Sequence, residues 1–113
     1  MNGLLVPVGG PAEVVELADG GGARLVRCLR TLIHAGCVEP IGITGRWEAW
    51  LDEDGMAAGH PVNRAATLLA RGYGAWFSLC GPVVIVGSDS GTRAPTGLSP
   101  AQVKATLDRI AAG

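Results

Sequence analysis

The chain alternates between short apolar runs and stretches whose apolar residues recur at helical spacing. Residues 4–8 are apolar, and Gly9, Gly10 and Pro11 punctuate them. Residues 13–17 then mix Val14 and Val15 with Glu13 and Glu16. Two short strands about a Gly/Pro turn predict a hairpin. Glycines at 20–22 break that pattern. Over residues 23–35 the period becomes helical. Leu25, Val26, Leu29, Leu32 and Ile33 recur on one face, with Arg24, Arg27 and Arg30 toward the other. Gly36 is the expected stop, and His34 in the last turn suits the helix dipole.

Residues 37–43 read as a strand, with Pro40 marking an edge or a bulge. Residues 47–51 follow, with Trp47, Ala49 and Leu51 on one face and Glu48 and Trp50 on the other. Asp54 and Gly55 predict a hairpin turn, with residues 56–58 as the return strand. Asn63 caps a helix through Arg71, which Gly72 stops. Residues 75–79 fit a strand or a helical turn equally. Residues 83–86, four β-favouring apolar positions between glycines, predict a central strand buried on both faces. A polar loop spans 88–97. Ser99, Pro100 and Gln102 then open a last helix with the pattern of a capping box. Its expected buried stripe is Val103, Leu107, Ile110 and Ala111. This order predicts one α+β domain over residues 1–113: a mostly antiparallel sheet of four to six strands with three helices packed on it.

Composition changes this picture little. Hydrophobic residues make up 48% and charged residues 17%, a globular balance. The formal net charge of −1 argues against general nucleic-acid or anionic-membrane binding, which needs a basic excess. Lys104 is the only lysine, so the arginine content reflects a GC-rich coding bias more than a function. No apolar run approaches the ~18 residues of a membrane span, and no leader-like pattern opens the chain. Cys28, Cys37 and Cys80 show no paired spacing, so reduced thiols in a cytoplasm are expected. His34, Cys37 and Cys80 lack the spacing of a zinc site, and no cofactor or metal is expected.

Three blocks carry a resemblance. Gly36, Cys37, Val38 and Glu39 lead into a strand with an acidic residue. DEDG at residues 52–55 and GHPVNRAAT at residues 59–67 join an acidic-Gly turn to a Pro-x-Asn-x-Ala-Thr segment. GPVVIVG at residues 81–87 is followed by GLSPAQ at residues 97–102. In these the chain resembles the domain-of-unknown-function 3846 family of small proteins from phages, mobile elements and their bacterial hosts. The resemblance implies the same α+β fold and a host-cytoplasmic setting, and supplies no activity. His60 stands where the family pattern has an apolar residue.

The candidate chemistry gathers in one stretch. Trp50, Asp52, Asp54, His60, Asn63, Arg64 and Thr67 supply convergent polar groups near a helix start. His60, Asn63 and Arg64 at exposed backbone N–H groups would suit an anion, and Trp50 would stack on a base or sugar. The plainer role for the same residues is in turns and caps. The loop from Gly87 to Thr92 is rich in backbone donors but lacks the lysine and following helix of a phosphate loop. No catalytic set is present. Trp47 and Trp50 cannot share a strand face, so one is exposed or covered by another element. An exposed tryptophan would anchor a self or host protein partner. The expected function is therefore a non-enzymatic phage or mobile-element accessory protein that binds a protein partner or itself. The alternative is a binding or sequestering module for a nucleotide-like anion. The expected binding residues are Trp50, His60, Asn63 and Arg64.

Overall fold

The computed structural model describes residues 1–19, 22–43, 46–75, 77–92 and 94–112. In chain order these form β1 (Asn2–Val6), β2 (Glu13–Glu16), α1 (Gly22–Ile33), β3 (Val38–Gly42) and β4 (Trp47–Asp52). After them come α2 (Arg64–Arg71), β5 (Val83–Ser88), β6 (Pro95–Thr96) and α3 (Pro100–Ala112). All strand pairs are antiparallel, in the order β2-β1-β5-β4-β3, and β6 pairs with the end of β5 beyond β1. This is the α+β arrangement that the apolar pattern predicts.

β5 is central because its sequence serves two faces. Val83 and Ile85 join Leu4, Val6, Trp47, Ala49 and Leu51 in one apolar cluster, closed by Ala66, Leu69 and Ala70 of α2 and partly by α3. Val84 and Val86 join Trp50 in a second cluster, closed by Leu25, Leu29 and Ile33 of α1. The sheet therefore has α1 on one side and α2 with α3 on the other. β3 lies at an edge, which explains why Pro40 is tolerated opposite Trp50.

Several expectations are corrected. Residues 56–58 form no return strand. Asp52 draws the chain round instead: its carboxylate accepts from Asp54 N at 2.9 Å and its carbonyl from Gly55 N at 3.1 Å. Ala58 N then donates to Asp54 O at 2.7 Å, so the segment winds in successive turns. The α1 stop is His34 rather than Gly36. His34 takes φ 60°, and Ala35 N reaches back to Arg30 O at 3.1 Å, a Schellman closure. In residues 75–79, those described join neither helix nor strand. Cys80 bridges Val62, and Asn63 N donates to Leu79 O at 2.7 Å. The short β6 lies inside the stretch expected to be only loop. The expected glycine break at 20–21 and the place of Trp76 lie outside the described residues.

Candidate functional site

α3 begins as its sequence predicts. Ser99 Oγ accepts from Gln102 N at 3.1 Å, and Gln102 Oε1 accepts from Ser99 N at 2.8 Å. Its packing differs. Val103, Leu107 and Ile110 are only half-buried and Ala111 is exposed, whereas the one buried side chain is Thr106, at 8% exposure. Between α3 and the sheet lies a cavity of about 520 Å³, partly open to solvent. Thr106, Ala105 and Gln102 form its helical wall, Leu98 its apolar side, and Trp47 and Tyr73 its aromatic wall. Arg46 and Ser90 stand at the end where β4 begins and β5 ends.

The aromatic wall is built. The Trp47 and Tyr73 rings meet edge-on, with centroids 4.9 Å apart and planes at 89°. The Arg109 guanidinium lies 4.5 Å from the Tyr73 ring centre and steadies it by a cation–π contact. The Arg46 carbonyl accepts from Ser88 N at 2.7 Å, which fixes the arginine's backbone beside the cavity. Thr106 is the unusual member. Among the described residues no hydrogen bond is made by its hydroxyl, and no sealed side-chain polar atom lacks a partner. The hydroxyl therefore opens onto the cavity that Thr106 lines. With its Oε1 committed to the cap, Gln102 keeps an amide NH₂ without a partner among the described residues. No carboxylate is among the described residues that line this space.

Of the residues expected to bind, Trp50 lies on the α1 side of the sheet, apart from His60, Asn63 and Arg64 at the start of α2. Trp50 is 9% exposed, lies under α1, and donates its indole N–H to Glu48 Oε1 at 2.9 Å. It is the covered alternative and not an exposed anchor, because α1 closes that sheet face. Asn63 has no exposed surface. Its Nδ2 donates to Val6 O at 2.8 Å and Gly81 O at 2.9 Å, and its Oδ1 accepts from Ala66 N at 3.1 Å. No donor is left for an anion. His60 Nε2 lies 3.0 Å from Asp52 Oδ2, and its ring backs onto Gly81. Arg64 is exposed at the first turn of α2. Thr67 Oγ1 accepts from Leu79 N at 3.0 Å. In the 87–92 loop the N–H groups of Ser88, Asp89, Gly91 and Thr92 are engaged. Asp89 Oδ1 accepts from Gly91 N at 2.8 Å and Thr92 N at 2.9 Å, and these bonds hold its carboxyl below the ordinary range. Among the described residues no three His, Cys, Asp or Glu side chains gather as a metal site.

The chain matches the model of the family described as Domain of unknown function (DUF3846) over residues 1–111. It belongs to that family. No curated protein and no solved structure matches it. In this DUF3846 chain the resembling blocks are mostly architecture. Asn63 and Thr67 tie α2 to the strand ends, and Gly55 packs so closely on Cys80 that a Cβ would meet its carbonyl at 3.1 Å.

The cleft was only partly legible. The alternation along residues 47–51 places Trp47 on the face of Ala49 and Leu51, and nothing in it points to Tyr73. The missed signal is Thr106, a polar residue at i+3 from Val103 and i−4 from Ile110, inside the stripe expected to be buried. No helix among the described residues is long and apolar enough to cross a membrane.

Proposed function

We propose that the chain is a small binding protein that holds a planar, ring-bearing molecule in the cleft between α3 and the sheet. One observation carries this reading: the Thr106 hydroxyl, without a partner among the described residues, in a cavity walled by Trp47 and Tyr73. A helix placed only to seal a core puts an apolar side chain at its most buried point, since an unpaired buried hydroxyl costs about 1–3 kcal/mol. Here the hydroxyl faces a space of ligand size, within the ~300–1,000 Å³ of small-molecule sites. Edge-on rings at one wall offer apolar contact to a flat ligand, and Thr106 and Gln102 offer polar groups to its edge. The role is binding rather than turnover. Its setting, a phage or mobile-element protein in a host cytoplasm, is supported by the family resemblance. A protein partner is the weaker reading, because the tryptophan proposed as its anchor is covered by α1.

A thermal-shift panel of nucleosides, mononucleotides and aromatic acids tests the cleft. A ligand at a hundred times its Kd stabilises by about 2.7 kcal/mol. We expect at least one member to do so, with the Thr106→Val variant binding it roughly tenfold more weakly. Trp47 emission should change in a Trp50→Phe, Trp76→Phe background. A panel without a stabilising member, or a ligand held equally well by Thr106→Val, overturns the reading.

A further inference from the structure

We infer that the ligand is a nucleoside 5′-monophosphate, with its base in the cleft and its phosphate at Arg46. The inference rests on the cleft being a ligand site and adds the ligand's class. Its first support is charge. Exposed Arg46 lines the cleft and no carboxylate is among the described lining residues, a lining suited to an anion. The first turn of α3, which supplies Gln102, adds the positive end of a helix dipole. An arginine has five donors in a planar fork that matches phosphate oxygens, and several can be engaged at once.

The polar groups at the helical wall give the second support. The Gln102 NH₂ donates, and the Thr106 hydroxyl both donates and accepts. Together they suit the edge of a heterocyclic base that carries an acceptor, while Trp47 and Tyr73 supply the apolar contact its ring needs. A ring with a polar edge and one anionic group are features of a nucleoside monophosphate, and the lining offers a group suited to each.

The third support limits the number of phosphates. A longer chain would extend past Arg46 toward Ser90 and its loop. There the Gly91 and Thr92 amides are already taken by the Asp89 carboxylate, and the bonds from Thr92 and Gly91 favour its ionised form. That fixed negative charge, one residue from Ser90, disfavours a second and a third phosphate.

Isothermal titration at low and high salt compares the nucleoside monophosphates with their nucleosides, their triphosphates and ribose 5-phosphate. One monophosphate should bind roughly tenfold to a hundredfold tighter than its nucleoside, since a charge-assisted hydrogen bond contributes on that scale. Its triphosphate should bind no tighter, and ribose 5-phosphate should bind far more weakly. Arg46→Gln, an exposed substitution whose folding is checked by matched thermal unfolding, should bring the monophosphate to the nucleoside's affinity and leave the nucleoside unchanged. Thr106→Val should weaken both. Equal binding of nucleoside and monophosphate, both weakened by Thr106→Val, overturns the phosphate assignment and leaves the cleft reading standing. So does binding of a different ring compound with no nucleotide bound. A triphosphate that binds tighter overturns the one-phosphate limit. Monophosphate binding that Thr106→Val does not weaken overturns both the class and the site.

Discussion

Asn63 shows how much one side chain can hold together. It is read easily from the sequence as a helix cap, and it is one: Ala66 N donates to its Oδ1 at 3.1 Å. Its amide also fastens the end of β1 and the chain before β5 through Val6 O and Gly81 O. Replacement by alanine leaves those three backbone groups short of a partner in a site with no water access. At about 1–3 kcal/mol for each unsatisfied group, partly offset by relaxation, Asn63→Ala should cost about 3 kcal/mol or more. Urea unfolding reads this directly, and a loss below about 1 kcal/mol would refute the pinning role. Asn63→Asp keeps the cap and loses the two donations, so it should be destabilised too. The local pattern reveals the cap because capping is local. The partners at positions 6 and 81 are distant in sequence, which is why Asn63 could also be read as a free donor for an anion. Arg64, beside it in sequence, is exposed at the start of α2.

At the level of elements, periodicity located the three helices and the central strand, because each buries a regular face. It failed where hydrogen bonds and not burial decide the path. Residues 56–58 alternate too weakly to hold a strand against the turn that Asp52 nucleates. The end of α1 gives a sharper case. Gly36 looks like the stop, yet the left-handed position falls on His34, at φ 60°. The buried face sets this choice: Ile33 must stay in the cluster under the sheet, so the chain turns immediately after it. A side chain in that conformation costs about 1 kcal/mol relative to glycine. His34→Gly should therefore stabilise the protein by up to about 1 kcal/mol, seen as a higher urea midpoint with an unchanged slope. Destabilisation would mean that the imidazole contributes more at the helix end than its backbone strain removes. The packing of α3 departs from its pattern in the same way. A stripe of Val103, Leu107 and Ile110 predicts a sealed helix, and no periodicity rule anticipates that Thr106 takes the deepest place beside an open cavity.

For the whole molecule, the deciding feature is a sheet covered on both faces, with Trp47 in one cluster and Trp50 in the other. Alternation along β4 also places Glu48 on the Trp50 side, facing the α1 layer. Desolvation there raises the Glu48 carboxyl above the ordinary 4.5, and the hydrogen bond from Trp50 opposes it only in part. The consequence for folding has a definite sign. Where both states are protonated, in acid, Glu48 carries no charge penalty. As pH rises through the ordinary glutamate range the unfolded chain loses its proton first, and stability falls until the folded carboxyl ionises as well. Above that window the penalty persists. Glu48→Gln keeps an acceptor for the Trp50 indole and removes the titration. The variant should therefore be more stable than the parent near neutral pH, and its advantage should shrink as pH falls below the ordinary glutamate value. Other carboxyls shape both unfolding curves, so the informative quantity is the difference between variant and parent across the acid range. A difference independent of pH, or one that grows toward acid, would show that the charge on Glu48 is not what α1 and the sheet resist.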